Sequence, residues 1–266
     1  MLLKRGAVLI ALFVSSVLSA SACSVVQEGA YLSSQEAITD GTSATPEKQR
    51  YATNYIWHKS DGFDPTSSLG TFVRAYVESM LRMLMDGGKS ALFPGAEDAT
   101  KFDTALLERV AIDHPVGPSG RRGAKDLHVL AVNETDSGSE VIVCEDPSGV
   151  AEKIGNGQWQ ARGTETHTRV RISRLVIDNV GDSPPSNVVG TAQYPPESVF
   201  GDWKALEYQP MLGLDSAEGR GIDFESRCLV EIGKERTPSS ASDPIVPEPP
   251  VEAPSPVPGW PEGEPN

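Results

Sequence analysis

Four basic side chains lie close together in a segment with the alternating pattern of a β-strand. They are His167, Arg169, Arg171 and Arg174. Guanidinium groups on one face of a sheet bind carboxylates and phosphates through charge-assisted hydrogen bonds, so this segment is a candidate anion-binding patch. The alternative is a solvated sheet face whose cations pair with Asp and Glu on a neighbouring strand, which is the commoner situation for such side chains.

The sequence contains no complete catalytic or metal-binding motif. The GKS triplet at 88–90 lacks the first Gly of a phosphate-binding loop, because position 83 is Met83, and the GPSG run at 117–120 lacks the last Gly of a hydrolase elbow, because Arg121 follows it. The four His residues are too far apart for a local metal site. The sequence therefore predicts no catalytic residue, no metal and no cofactor.

The N-terminus has the layout of a secretory signal. Two basic residues at positions 4 and 5 precede an apolar segment at 6–18, which is shorter than the roughly 18 to 20 residues that span a bilayer. The small residues at 20–22, followed by Cys23, resemble the lipobox of bacterial lipoproteins, with Ala20 where that family prefers Leu. The resemblance implies that residues 1–22 are removed and that Cys23 carries the lipid anchor. Plain secretory cleavage without a lipid is the alternative.

The remaining cysteines follow from that assignment. If Cys23 is acylated, Cys144 and Cys228 form an even pair in an exported, oxidising setting, and a disulfide between them is expected. The bond would close a loop of about 85 residues, worth at most roughly 4.6 kcal/mol in the chain-entropy model. Two unpaired, buried thiols are the alternative.

The charge balance limits the partners. The chain has 37 acidic and 23 basic residues and a net charge of −14, and nucleic-acid binding needs a basic face. Nucleic acid is therefore excluded as a partner. The expected partners are the extracytoplasmic face of the cell membrane, reached through the lipid anchor, and either an envelope protein or a small ligand.

Two flanking segments have compositions typical of disorder. Residues 23–50 are polar and without apolar periodicity, which predicts a flexible tether. Residues 237–266 contain ten Pro, five acids and no Lys or Arg, which predicts a disordered, extended tail. A spacer or a docking segment around Trp260 is the functional alternative for this tail.

The region between these segments, residues 51–236, must contain the fold. Apolar residues recur at helical spacing from Phe72 to Leu84, after start signals at 64–68 and before Gly87 and Gly88, so one amphipathic helix is predicted there. A second helix is predicted at 100–110.

Strands are predicted after these helices. β-rich runs at 127–133 and 140–145 predict a hairpin with a loop longer than two residues, and 164–178 predicts a long strand or a bent pair. Further candidates are 188–189, 203–208 and 225–232. Helices followed by many strands predict an α+β fold, with N-terminal helices packed on a curved antiparallel sheet.

This order of elements, over residues 69–232, is similar to that of the cone-shaped domains related to nuclear transport factor 2, which recur in exported actinobacterial lipoproteins. No residue motif accompanies the resemblance, so it implies a fold and no functional residue. That fold carries enzymes, ligand binders and structural modules alike.

Two functions of different classes follow. One is a non-catalytic binding or interaction module tethered outside the membrane, and the other is an envelope enzyme, a hydrolase or isomerase, that uses the interior of a cone-shaped sheet. The lack of an acid, base and nucleophile pattern favours binding. Convergent titratable side chains in a pocket would favour the enzyme.

Overall fold

The computed structural model describes residues 53–104, 120–155, 157–210, 221–238, 242–246 and 254–263. All of them belong to one compact unit, Lys48–Asn266. The predicted signal at 1–22, with Cys23 after it, the tether at 23–50 and most of the second predicted helix lie outside the described residues. Residues 101–104, where that helix was expected to begin, are not helical.

The described part of the chain contains two α-helices and ten strands. The helices are α1 (Ser68–Arg82) and α2 (Gly221–Ile232). The strands are β1 (Thr53–His58), β2 (Arg121–Thr135), β3 (Gly138–Asp146), β4 (Val150–Lys153), β5 (Trp159–Ala161), β6 (His167–Thr168), β7 (Arg171–Asp178), β8 (Lys204–Gln209), β9 (Glu235–Arg236) and β10 (Ile245–Val246). None of the described helices is long and apolar enough to cross a membrane.

Eight strands form one curved, open sheet, so the predicted α+β class is confirmed. The hydrogen-bonded order is β10-β5-β4-β2-β3-β7-β8, and all of these pairs are antiparallel. β1 is added to β2 as a parallel strand, in register from Thr53 opposite Gly123 to His58 opposite His128. β6 and β9 form a separate parallel pair. The long predicted strand at 164–178 is thus a bent pair, β6 and β7.

Helix α1 begins where the sequence predicts. Ser67 is its N-cap, and its hydroxyl accepts a 3.0 Å hydrogen bond from the backbone N–H of Gly70, which satisfies a donor at the helix start. Phe72, Tyr76 and Met80 recur along the helix and are fully buried. After Arg82 the chain continues as a π-helical turn, Met83–Gly87.

The core lies between α1 and one face of the sheet. Alternate residues of the strands reach this face, as the two-residue period of a β-strand requires. The strand side chains in the core include Leu127, Val129, Val141, Val143, Leu175 and Ile177. Such burial contributes about 1.5 to 3 kcal/mol for each large apolar side chain.

The β2–β3 hairpin differs from its prediction in one respect. Its turn is the two residues Asp136 and Ser137, not a longer loop, because Thr135 and Gly138 still pair. The polar side chains there are largely exposed, but the backbone groups continue the ladder. The paired strands therefore extend beyond the β-rich runs from which the hairpin was predicted.

The prediction of a strand at 225–232 is wrong, because this segment is α2. Buried Glu225 and Cys228 are three residues apart, with half-buried Phe224 one turn before Cys228, while Val230 is exposed. That spacing places one helical face against the sheet. The predicted disulfide is confirmed, since Cys228 of α2 is bonded to Cys144 of β3, with 5.5 Å between the two Cα atoms. Residues 188–189 form no strand.

The prediction that residues 237–266 are wholly disordered is also wrong for the parts the structure describes. β10 pairs with β5, and Val257 exchanges backbone hydrogen bonds with Tyr55 and Trp57 of β1. Trp260 is 0% exposed. An indole of that size buries roughly 150 to 250 Å², so one anchor overrides a composition typical of disorder.

Trp260 packs against a row of charged side chains on α1. Arg74, Glu78 and Arg82 are spaced by four residues, share one helix face and are all buried. The Arg74 guanidinium lies 4.2 Å from the centre of the Trp260 ring and donates a 2.8 Å hydrogen bond to the carbonyl of Pro258. Burial raises the pKa of Glu78, and the Arg74 charge opposes that shift. The row therefore holds part of the C-terminal segment, the described residues 242–246 and 254–263, onto α1.

Candidate anion-binding pocket

A small pocket lies at the end of the sheet where β2 and β7 begin. Its volume is about 30 Å³. Four strands, the π-helical turn and two loops contribute to its wall. The lining residues are Thr53, Tyr55, Met85, Arg121, Lys125, Pro147, Val150, Arg162 and Arg171.

Strand parity explains why cations reach the pocket. Arg121 and Lys125 are four residues apart on β2, so they share the face of the core residue Leu127. On β7, Arg171 shares its face with buried Ser173 and Leu175 in the same way. The apolar side chains fill the middle of this face, and the basic ones occupy its end.

Lys125 is held by a buried carboxylate. Its Nζ donates a 2.8 Å hydrogen bond to Oε2 of Glu145, and both side chains are buried. The other oxygen of Glu145 accepts a hydrogen bond from the hydroxyl of Ser173, which lies 3.3 Å from the hydroxyl of Tyr208. Burial alone would raise the pKa of Glu145, but the Lys125 ammonium and these hydrogen bonds hold it below its usual value.

Two arginines share a second carboxylate. Arg162 forms an ion pair with Oε2 of Glu152, and Nε of Arg121 lies 3.7 Å from the same oxygen. Arg121 also contacts the sulfur of Met85, which ties it to the π-helical turn after α1. The Arg162 side chain is 32% exposed and therefore lies at the rim of the pocket.

The cations of the pocket repel one another. Burial lowers the pKa of the Arg171 guanidinium, the charge of Glu145 opposes that shift, and the charge of Arg121 adds to it. Burial likewise lowers the pKa of Arg162, with Arg171 and Arg121 adding to the shift. Among the described residues, Glu145, Glu152 and Asp243 form ion pairs with cations that line the pocket. Four cationic side chains thus converge on one pocket in a chain whose net charge is −14.

The size of the pocket limits what enters it. A cavity needs about 10 to 15 Å³ to hold one water, so about 30 Å³ holds two or three waters or one small charged group. A complete ligand of ordinary size occupies roughly 300 Å³ or more. The pocket thus fits the anionic end of a ligand, with the remainder outside.

The structure does not assemble the four residues of the predicted patch into one site. Arg171 lines the pocket, whereas Arg174 is on the opposite face of β7 by parity and bonds Glu140 and Glu207 at 2.5 and 2.6 Å. His167 lies 3.4 Å from Glu235, and Arg169 lies 3.6 Å from Asp243. The alternative interpretation, pairing with neighbouring acids, is the arrangement observed for Arg174.

Sequence reasoning missed three of the four cationic residues that line the pocket, namely Arg121, Lys125 and Arg162. The even spacing of Arg121 and Lys125 in a β-rich region was a usable signal, because it places both on one face. Nothing local connects Arg162 to them. The pairing of β4 with β5 and with the start of β2 brings Arg162 to Glu152.

Another polar cluster lies on the opposite face of β2. Nε2 of His58 is 2.7 Å from Oδ1 of Asp126, and the His58 ring stacks on that of His128 at 4.1 Å. Burial, with His58 adding to it, lowers the pKa of His128 to about 4. Among the described residues, no group of three or more His, Cys, Asp or Glu side chains is arranged to hold a metal ion.

No protein-family model, curated protein or solved structure matches the chain. The fold and the site together define an α+β domain with a small cationic pocket at one end of its sheet.

Proposed function

We propose that the protein is a lipoprotein anchored through Cys23 at the extracytoplasmic face of the cell membrane, where it acts as a non-catalytic binding module for a ligand with a small anionic group. The observation that supports this most is the convergence of Arg121, Lys125, Arg162 and Arg171 on one pocket. The lipobox-like signal supports the anchor, and the Cys144–Cys228 disulfide suits an oxidising compartment.

An anion is the ligand that relieves the electrostatic strain of this pocket. Like charges brought together away from water destabilise the folded state, and a bound anion replaces their repulsion by attraction. A ligand that binds only the folded protein also stabilises it by about 2.7 kcal/mol at one hundred times its Kd.

An enzyme acting on an anionic substrate is the second candidate. The observation that favours it is Lys125, because burial lowers the pKa of this amine and an uncharged amine can act as a base or nucleophile. The 2.8 Å hydrogen bond to Glu145 opposes it by favouring the charged ammonium, which binds anions instead. We therefore place binding first. Turnover of a carboxylate substrate that disappears in Lys125→Met would establish the enzyme.

The test is calorimetric titration of the full chain, purified in a neutral detergent, with inorganic phosphate and with succinate. We expect the wild type to bind at least one of them, and Arg171→Gln to bind it about tenfold more weakly, since a charge-assisted hydrogen bond contributes about 1.5 to 3 kcal/mol. Arg174→Gln is the matched control, because it removes the same charge from the opposite face of β7. Equal losses in the two variants would contradict a specific site.

A further inference from the structure

An acidic residue of the C-terminal segment lies beside the pocket. β10 pairs with β5, and the backbone N–H of Ala161 donates a 2.9 Å hydrogen bond to the carbonyl of Pro244. The Gln160 amide donates to the carbonyl of Asp243 at 3.4 Å. These bonds place Asp243 next to Arg162, which lines the pocket.

The carboxylate of Asp243 forms two long ion pairs with the described residues. Its Oδ2 lies 3.9 Å from a guanidinium nitrogen of Arg162, and its Oδ1 lies 3.6 Å from Nε of Arg169. Asp243 is only 9% exposed, yet Oδ1 has no hydrogen-bond partner in the described part of the chain. A buried carboxylate oxygen without a partner is unusual, because charged groups away from water are normally hydrogen bonded. Asp243 is therefore near its cations but is poorly held by them.

We infer that Asp243 takes the place of a ligand's carboxylate, and that the pocket binds its ligand by a carboxylate group that competes with Asp243 for Arg162. This inference rests on the proposed function. Removing the charge of Asp243 then leaves more positive potential for the ligand. The C-terminal segment thereby lowers the affinity of the pocket.

The anionic groups bound to the cluster are carboxylates, so a ligand's carboxylate can form the same kind of contact. Glu145 is bonded to Lys125, Glu152 to Arg121 and Arg162, and Asp243 lies between Arg162 and Arg169.

The experiment compares succinate binding by the full chain in wild-type, Asp243→Asn and Glu262→Gln forms. Asp243→Asn keeps the shape of the side chain and removes one negative charge. Glu262→Gln removes the same charge from the same C-terminal region, but Glu262 bonds Thr191 at 2.8 Å and does not line the pocket. Succinamide, which is neutral, and inorganic phosphate are the comparison ligands.

We expect Asp243→Asn to bind succinate about threefold or more tightly than the wild type, because the ligand then no longer competes with the Asp243 carboxylate for Arg162. We expect Glu262→Gln to match the wild type, succinamide not to bind and phosphate to gain less than succinate. Asp243→Ser is a second variant if the first folds poorly, as circular dichroism will show.

Unchanged or weaker succinate binding in the folded Asp243 variants, with binding by the wild type, would overturn this inference and leave the proposed function standing. Tighter phosphate than succinate binding would overturn the carboxylate preference. If the wild type and both Asp243 variants bind neither anion, the proposed function fails, and the inference fails with it.

Discussion

The indole N–H of Trp260 donates a 2.9 Å hydrogen bond to Oε2 of Glu78, a residue 182 positions earlier in the chain. Trp57 donates a 2.8 Å hydrogen bond to the other oxygen of the same carboxylate. The carboxylate thus joins α1, β1 and the C-terminal segment. The segment around Trp260 is part of the core, although its composition is typical of a disordered tail.

Trp260→Ala should therefore destabilise the domain. We expect a loss of about 3 to 5 kcal/mol in the free energy of unfolding, because a large buried aromatic side chain is removed and Glu78 loses a donor. Urea denaturation measures this. Val257→Ala is the control in the same segment, since Val257 is 51% exposed, and it should change stability by less than about 1 kcal/mol.

Truncation after Arg236 tests the same point differently. It removes Trp260 and β10 together, so the melting temperature should fall sharply. An unchanged melting temperature would restore the simple view of a dispensable tail and contradict the anchoring role of Trp260.

The disulfide should stabilise the attachment of α2 to the sheet. Replacing both Cys144 and Cys228 with Ala should lower the free energy of unfolding by about 2 to 4 kcal/mol. A reductant should lower the melting temperature of the wild type but not of the double variant. If the reductant lowers the melting temperature of both proteins equally, the Cys144–Cys228 bond is not the source of the effect.

His128 predicts a pH dependence of stability. Its pKa is lowered from 6.5 to about 4 in the folded protein, so the folded form binds fewer protons than the unfolded chain between these values. The stabilising contribution is complete above about pH 6.5 and is lost as the pH falls towards about 4, at most about 3 kcal/mol. His128→Gln should flatten this part of the stability profile. The same slope in the variant would assign the effect to another group.

The proposed lipid anchor predicts a simple labelling result. In cells given an alkyne fatty-acid probe, the wild type should be labelled and Cys23→Ala should not. Cys144 and Cys228 provide the internal control, because they are bonded to each other. Labelling of Cys23→Ala at the wild-type level would end the lipoprotein proposal.

Local rules predicted part of this structure. The spacing of Phe72, Tyr76 and Met80, after the start signals at 64–68, predicted α1, and two β-rich runs predicted the β2–β3 pair. These features depend on neighbours within one or two turns or one strand pair. Segment 225–232 was assigned to the wrong class, because a short apolar run is compatible with both periods and the contact of Cys228 with the sheet decides between them.

The pocket was not predictable in the same way. Its cations come from the start of β2, the segment after β5 and the start of β7, and only the sheet register brings them together. The composition of residues 237–266 did not indicate the role of Trp260, because one buried aromatic residue beside ten prolines hardly changes the mean composition of the segment. Arg171 was identified as a candidate, but for a patch with Arg174 that strand parity forbids.

The most direct test of the central claim is diffraction from crystals of the wild type and Arg171→Gln soaked in 4-bromobenzoate. We expect carboxylate density within about 3.2 Å of nitrogens of Arg121, Lys125, Arg162 or Arg171 in the wild type, with a bromine anomalous peak just outside the pocket. Both signals should be clearly weaker in Arg171→Gln at the same soaking concentration. A wild-type pocket without the carboxylate at saturating concentration, or binding that is unchanged in Arg171→Gln, would contradict it.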